Sequence, residues 1–212
     1  MPETSGGTAA LALVGITSHL GLVEHAQLQP GETVLVNGGS GGVGSTVIQM
    51  ARAIGATVIA TTSGAEKMEY CRALGANHVL DYRHDDVPKR VAELTGGVDV
   101  WWETSRMPNF DAIFASMKLR GRVVLIAGRT SRVEFPVGAF YTKCLSLHGF
   151  AMFLTPAEVQ RHAAEQIGEW LEAGKLHAKI DRVASLDDAA ELHRLQEASD
   201  SGAIRGKLVV KM

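Results

Sequence analysis

One stretch decides the fold of this chain, and it reads Thr33-Val34-Leu35-Val36-Asn37-Gly38-Gly39-Ser40-Gly41-Gly42-Val43-Gly44. Its first four residues are Thr, Val, Leu and Val, a composition typical of a buried strand. From 43 to 54 the apolar residues recur at the spacing of a helix, and Gly55 is suited to end that helix. The stretch therefore predicts a strand, a glycine-rich turn and a helix in succession.

The turn contains the pattern G-x-G-x-x-G as Gly39, Gly41 and Gly44. Between a strand and a helix, this pattern lets a pyrophosphate lie on free N–H groups at the helix N-terminus. A glycine-rich turn without a ligand is the alternative. It is disfavoured because five glycines within eight residues cost chain entropy unless something must approach the backbone. The predicted phosphate-binding residues are Gly39, Ser40, Gly41, Gly42, Val43 and Gly44.

Short β-forming runs alternate with helical patterns along most of the chain, which predicts an α/β fold. Most of the runs are nearly continuous in apolar residues, as expected of parallel strands buried on both faces. The expected class is a Rossmann fold with a doubly wound, six-stranded parallel sheet. Its predicted strands are 33–36, 57–61, 78–80, 98–102, 122–126 and 145–150. A final short strand at 206–211 has no evident partner in this sheet.

Helices are predicted between these strands at 65–74, 87–94 and 110–117. Thr155, Pro156 and Glu158 provide a capping residue, a proline at the first helical position and a capping box. We therefore expect a longer helix that extends from there to about Leu171. The sequence from Ser185 onward is typical of another helix start.

Composition excludes several classes of protein. The chain has 21 basic and 23 acidic residues and a formal charge of −2, so a nucleic-acid partner is not expected. Cys71 and Cys144 form no CxxC pair, and no two histidines are three or four residues apart, so neither a disulfide framework nor a metal site is indicated. No apolar run approaches 18 residues. We expect a metal-free protein of the cytoplasm with no membrane partner.

The end of the second predicted strand indicates which dinucleotide is preferred. In NAD sites a carboxylate about 20 residues beyond the glycines holds the ribose hydroxyls, but this chain has Thr61, Thr62 and Ser63 there, followed by Lys67. Hydroxyls and a lysine can bind a 2′-phosphate. The sequence therefore favours NADP(H). Without the preceding glycine motif, a solvated lysine in the first turn of a helix would be the better interpretation of Lys67.

Several further segments, in this order, resemble the medium-chain dehydrogenase/reductases, in particular their zinc-independent quinone oxidoreductase and ζ-crystallin branch. The resemblance covers nearly the whole chain. It rests on residues 31–36, Gly41-Gly42-Val43-Gly44, residues 55–63, Leu74-Gly75-Ala76 and Gly96-Gly97-Val98-Asp99-Val100.

The resemblance implies roles for individual residues. Ser63 and Lys67 would contact the 2′-phosphate, and Tyr82 would lie against the same end of the cofactor. Some family members add an arginine near the C-terminus, and the aligned position is near Gly202. The positions expected at the nicotinamide end are Thr17, Thr104, Ala127, Gly128 and Phe150. For Phe150, core packing or an interface is an equally good interpretation.

The resemblance also implies a domain organisation. Residues 1–175 would be the NADP(H)-binding Rossmann domain, and residues 176–212 a segment that packs on a catalytic domain. In the family a GroES-like domain of more than 100 residues precedes the Rossmann domain, and it is missing from this chain. Family members commonly form a homodimer through the edge strand, which here runs from Leu145 to Phe150.

The implied activity is NADPH-dependent hydride transfer to a quinone or enone acceptor without zinc. The alternative is a non-catalytic NADPH-binding module or redox sensor. A short-chain dehydrogenase is excluded because no tyrosine is followed by a lysine four residues later. We assign no catalytic acid or base from the sequence.

Overall fold

The computed structural model describes residues 4–197 and 206–211. Within these residues the chain forms eight strands and eight α-helices. The strands are β1 (Thr33–Asn37), β2 (Thr57–Thr62), β3 (His78–Asp81), β4 (Val98–Glu103), β5 (Met117–Leu125), β6 (Ser146–Gly149), β7 (Ile180–Ser185) and β8 (Lys207–Lys211). The helices are α1 (Thr4–His19), α2 (Gly42–Ile54), α3 (Ala65–Ala73), α4 (Val87–Thr95), α5 (Phe110–Ser116), α6 (Val137–Thr142), α7 (Ala157–Glu172) and α8 (Ala189–Glu197). A π-helical turn, Leu20–His25, continues α1.

The first six strands form one parallel sheet in the order β3-β2-β1-β4-β5-β6. Every neighbouring pair in this sheet is parallel, and this order is that of a doubly wound dinucleotide-binding fold. The sheet confirms the fold class predicted from the sequence. Its carboxyl edge, where the strand order reverses between β1 and β4, is where such folds bind ligands.

Two apolar clusters cover the two faces of the sheet, and the adjacent residues Trp101 and Trp102 show this division. Trp101 packs with α5 residues such as Phe110, whereas Trp102 packs with the cluster that includes Val47 of α2. Both indoles are almost completely buried. Their alternation follows from the two-residue period of a strand and matches the sequence prediction.

Some local predictions were wrong. Thr155 does not cap α7: the N-cap is Pro156, and no side-chain hydrogen bond is made there. The carbonyl of Thr155 instead accepts a hydrogen bond of 2.8 Å from the side-chain amide of Gln160.

The short helix α6 was not predicted, since its six residues include Gly138 and two aromatic residues and show no clear apolar stripe.

The last strand does have a partner, although not in the main sheet. β8 pairs in parallel with β7, and the two form a separate two-stranded sheet. The helix predicted from Ser185 is present, and Ser185 and Asp188 form a capping box at its start. The proposed boundary between residues 175 and 176 stays a prediction.

No helix among the described residues has both the length and the apolar character that crossing a bilayer requires.

The packing of α1 against α7 encloses His19 completely. Its Nε2 lies 2.7 Å from Gln166 Oε1, while its Nδ1 has no hydrogen-bond partner among the described residues. The rings of His162 and Trp170 lie nearby, at centroid distances of 6.3 and 6.0 Å. Burial lowers the pKa of His19, and this outweighs the hydrogen bond to Gln166 and the charge of Glu24, which act in the opposite direction.

We expect this histidine to make stability depend on pH. Because the folded pKa lies below the ordinary value of 6.5, the unfolded chain binds the proton more readily, and stability is lost as the pH falls below that value. Urea unfolding of the wild type between pH 5 and 8 should show this slope, and His19→Gln should flatten it. Part of the dependence of stability on pH should remain in this variant, because burial also lowers the pKa of His148. Parallel pH profiles for the two proteins would contradict the assignment.

Candidate functional site

The glycine-rich turn joins β1 to α2 at the carboxyl edge of the sheet. Gly38 has a left-handed φ of 82°, and its carbonyl accepts a hydrogen bond of 3.0 Å from the Gly41 N–H. Helix α2 begins at Gly42, and no side chain caps its N-terminus. Gly41 and Gly42 are exposed. Helix α2 therefore begins at an exposed turn, as an anion-binding helix N-terminus requires.

Gly44 and Gly39 allow the helix to approach the strand closely. A Cβ on Gly44 would collide with the Gly38 carbonyl group and lie only 3.0 Å from the Gly39 Cα. A Cβ on Gly39 would lie 2.9 Å from the Cβ of Ala60 and 3.1 Å from Ile48. These contacts agree with the packing role that the pattern predicts for Gly44.

A buried carboxylate organises the neighbouring turns. Glu103 is 1% exposed. Its Oε1 accepts hydrogen bonds of 2.7 Å from Asn37 Nδ2 and 2.6 Å from the Ser105 N–H. Its Oε2 accepts one of 3.0 Å from the Trp101 indole. Three donors thus stabilise the carboxylate where β1 and β4 end.

The same network extends to β2 and to the predicted residue Thr104. The Thr61 hydroxyl donates to Asn37 Oδ1 over 2.5 Å. The Thr104 hydroxyl donates to the Asn37 backbone carbonyl over 2.6 Å. Thr104 therefore fixes the end of β1, beside Gly38. The cofactor contact that the resemblance implies for Thr104 stays a prediction.

Two of the residues predicted at the adenosine end of the cofactor, Ser63 and Tyr82, lie in contact beyond β2 and β3. The Ser63 hydroxyl lies 3.2 Å from the Tyr82 hydroxyl, and the Ser40 hydroxyl lies 2.8 Å from that of Thr62. Lys67 is exposed in the first turn of α3.

The carboxylate of Asp81, at the end of β3, is occupied by other contacts. It accepts hydrogen bonds from the backbone N–H groups of Arg83 and Gly64, and it lies near the His84 ring. The hydrogen bond from the Arg83 N–H is the largest of the effects that lower the pKa of Asp81. The carboxylate is thus used to hold the two loops around Ser63 and Tyr82 together.

A cavity of about 620 Å³ lies beside the glycine turn. It is lined by Ser40, Gly41, Gly42 and Lys67 and by the segments around Lys179 and Lys207. A Cβ on Gly42 would lie 3.1 Å from Lys207 Nζ, so this ammonium group approaches the N-terminus of α2. The cavity is shaped by the end of the chain as well as by the glycine turn.

Lys207 is a candidate site residue that the sequence analysis missed. Burial lowers its pKa, and no residue among those the structure describes forms a hydrogen bond or ion pair with its ammonium group. A half-buried cation beside the positive end of a helix dipole is unfavourable unless an anion binds there. Because Lys207 comes 163 positions after Gly44 in the sequence, only the fold places it beside the glycine turn.

A second lysine closes the cavity. Lys179 Nζ lies 3.9 Å from the centroid of the Tyr70 ring on α3, a cation–π contact. This contact joins the segment before β7 to α3. Lys67, Lys179 and Lys207 give the cavity three basic side chains, and Glu66 also lines it.

None of the five residues predicted for the nicotinamide end lines this cavity. The Thr17 hydroxyl donates to the Leu13 carbonyl within α1 over 2.8 Å. Phe150 stacks on the His25 ring at 4.6 Å and approaches Gly21, so it packs against the π-helical turn.

Ala127 and Gly128 follow β5 at the carboxyl edge. Gly202 lies outside the described residues.

The described residues contain no group of three or more His, Cys, Asp or Glu side chains that could hold a metal ion. A structural or catalytic zinc site needs three or four such ligands. The donor set of the described residues therefore does not fit zinc.

Comparison with known proteins identifies the family. The profile described as zinc-binding dehydrogenase matches residues 42–169, which is more than half of the chain. The chain therefore belongs to the zinc-binding dehydrogenase family. Its relatives include quinone oxidoreductases, as the sequence resemblance indicates.

Two relatives and one solved structure illustrate the similarity. A trans-enoyl reductase of Aspergillus terreus is 29% identical over 97% of this chain, and a quinone oxidoreductase of Pseudomonas aeruginosa is 31% identical over 87%. A mycobacterial protein solved in complex with NADPH superposes on the whole chain with a TM-score of 0.85 and 29% identity. The chain spans 58%, 59% and 66%, respectively, of the lengths of these three proteins.

We expect Gly44→Ala to destabilise the protein by about 1–3 kcal/mol, since the new methyl group meets backbone atoms that cannot move independently. Urea unfolding measures this loss. The matched control is Gly168→Ala in α7, where no atom lies within 4 Å of the added Cβ. This control should stabilise the protein by about 0.4–1 kcal/mol, because alanine restricts the unfolded chain. Equal stability of Gly44→Ala and the wild type would show that α2 does not depend on this close approach.

Proposed function

We propose that the protein binds NADP(H) and takes part in hydride transfer to a quinone or enone acceptor. The observation that carries the proposal is the cavity at the glycine turn. The first N–H groups of α2 and the half-buried Lys207 converge there, and no side chain of the described residues caps the helix or pairs with the Lys207 ammonium group. A pyrophosphate would satisfy both groups at once. The similarity to a protein solved with NADPH supports the same cofactor.

The preference for NADP(H) is supported by the residues after β2. Ser63 and Lys67 offer a hydroxyl donor and a cation, while the nearby Asp81 carboxylate accepts backbone N–H groups. A carboxylate occupied in this way is not arranged to bind ribose hydroxyls, as an NAD site requires. The 2′-phosphate would lie between the loops that Asp81 joins.

The protein's own contribution to the reaction is binding and orientation. Bound NADPH supplies the hydride to an electron-poor acceptor. The glycine turn and Lys207 hold the phosphates, and the network of Glu103, Asn37 and Thr104 fixes the turns on either side of the strand-order reversal. Positioning of this kind is what hydride transfer requires of the protein.

Three further assignments belong to this proposal. The Rossmann domain would end at residue 175, and residues 176–212 would pack on a catalytic domain. Cytoplasmic residence is supported by the free thiols of Cys71 and Cys144. Two copies would pair through the edge strand from Leu145 to Phe150.

The cofactor assignment is tested by titration with NADPH and NADH, followed by nucleotide fluorescence. Lys67→Ala should weaken NADPH binding about tenfold or more, the effect of losing a hydrogen bond to a charged group, and leave NADH nearly unchanged. Lys207→Ala should weaken both nucleotides by a similar factor, because both carry the pyrophosphate.

Lys118→Ala is the control for the loss of a surface lysine. Lys118 forms an ion pair with Asp99, and Asp99 also accepts a hydrogen bond from the first residue of β1. This pair therefore lies at the end of the sheet opposite the carboxyl edge. Equal losses of both nucleotides in Lys67→Ala would reject the 2′-phosphate contact. No binding of either nucleotide by the wild type would reject the proposed function. Tight binding without oxidation of NADPH by small quinones would favour the non-catalytic module.

The dimer is tested at Leu147, which is 38% exposed on β6, the edge strand of the main sheet. Leu147→Arg should place charge on the strand that a second copy would pair with and convert a dimer into a monomer by light scattering. Leu13→Arg is the control, because Leu13 is exposed on α1, away from that edge. A wild-type monomer, or a variant that remains dimeric, would refute pairing through this strand.

A further inference from the structure

Two loops at the carboxyl edge of the sheet carry exposed arginines. Arg106 follows β4, and Arg129 and Arg132 follow β5. Within residues 4–197 and 206–211, no hydrogen bond or ion pair engages their guanidinium groups. We call these three residues the arginine rim.

The backbones of the two loops are joined at a single carbonyl group. The Ser131 hydroxyl donates to the Arg106 carbonyl oxygen, and the Ser131 N–H donates to the Gly128 carbonyl over 2.9 Å. Gly128 has a φ of 84°, and a Cβ there would lie 2.9 Å from the same Arg106 oxygen. The Cα atoms of the arginine rim are therefore brought together by fixed backbone.

The loop after β5 is also anchored at its far end. The Phe135 ring packs between Phe110, Phe114 and Phe140, with centroid distances of 5.0, 5.2 and 5.1 Å. With both ends held, the loop presents Arg129 and Arg132 on a restrained backbone. Less conformational entropy is then lost when a ligand binds.

The local charge is opposite in sign to that of the chain. Residues 104–109 and 126–136 contain three arginines and one carboxylate, Glu134, whereas the whole chain has a formal charge of −2. A concentration of positive charge that no described carboxylate neutralises, on two joined loops, favours an anionic ligand.

The position of the rim separates it from the phosphates of the cofactor. β5 lies three strands from β2 in the sheet, about 14 Å at the usual strand spacing. The 2′-phosphate site beyond β2 is therefore out of reach. Thr104, Ala127 and Gly128 adjoin the rim, so the rim lies at the nicotinamide end of the proposed cofactor site.

We propose that the arginine rim binds an anionic group, carboxylate or phosphate, on the acceptor substrate. This inference rests on the proposed function, because it assumes that the acceptor approaches the nicotinamide end. Arginine suits either anion through paired N–H donors. In the reaction the acceptor C=C gains a hydride at one carbon and a solvent proton at the other, while NADPH becomes NADP⁺. The anionic group takes no part in bond making and serves to orient the double bond.

The test uses a matched pair of enones, 3-benzoylacrylate and its neutral methyl ester, and coenzyme A as a phosphate-bearing probe. Their binding to the protein is measured by calorimetry, with and without NADP⁺. We expect the carboxylate to bind about tenfold more tightly than the ester, as charge-assisted pairing allows. In the triple variant Arg106→Gln, Arg129→Gln, Arg132→Gln this preference should disappear. Tighter binding of coenzyme A than of benzoylacrylate would identify phosphate as the natural anion.

A second triple variant removes the same charge elsewhere. Arg72, Arg90 and Arg161 lie on α3, α4 and α7 and pair with neighbouring glutamates. Their replacement by glutamine should leave the preference for the carboxylate intact. Equal binding of acid and ester by the wild type, or loss of the preference in both variants, would overturn the inference.

NADPH titration of the same samples separates the two proposals. NADPH affinity should be unchanged in the rim variant. If that affinity falls together with benzoylacrylate binding, the arginines serve the cofactor and the inference is wrong. If the wild type binds benzoylacrylate in preference to the ester but binds no NADPH, the rim is an anion site and the proposed function fails. If NADPH binds and the ester binds as tightly as the acid, only the inference fails.

Discussion

The buried carboxylate of Glu103 is the constraint on which the carboxyl edge of the sheet depends. An ionised carboxylate removed from water costs several kcal/mol unless donors surround it. The side chain of Asn37, the backbone of Ser105 and the indole of Trp101 provide those donors. Because these groups belong to β1, β4 and the turn after β4, satisfying one charge sets the geometry of two turns. The glycine loop and the loop that carries Arg106 are thus positioned by the same side chain.

The basic groups of this edge divide into two sets on either side of the strand-order reversal. Lys67 and Lys207 lie with the glycine turn and the end of β2, and Lys207 arrives from the separate two-stranded sheet. Arg106, Arg129 and Arg132 lie beyond β4 and β5. Both sets lie at the edge of the sheet where doubly wound folds bind their ligands.

The sequence predicts the main sheet well because both faces of its strands are buried. Nearly continuous apolar runs such as 33–36 and 98–102 are typical of the parallel strands of an α/β protein. Strand β7 could not be predicted in this way, since its residues are mostly exposed and alternate without a clear apolar face. Lys207 joins the site through tertiary contacts alone. The cap predicted at Thr155 failed because Pro156, with its extended ψ of 141°, itself takes the N-cap position.

Lys207 belongs to β8, and β8 is held to the rest of the chain by its pairing with β7 and its packing against α1. An anion bound between Lys207 and the N-terminus of α2 would therefore bridge the two sheets. Binding and local unfolding are thermodynamically linked. If β8 increases the affinity of the site for the anion, then the bound anion raises the free energy of local unfolding of β8 by the same amount. The final five-residue strand would then be a reporter of occupancy, protected from amide hydrogen exchange in proportion to the ligand bound at the opposite end of the sequence.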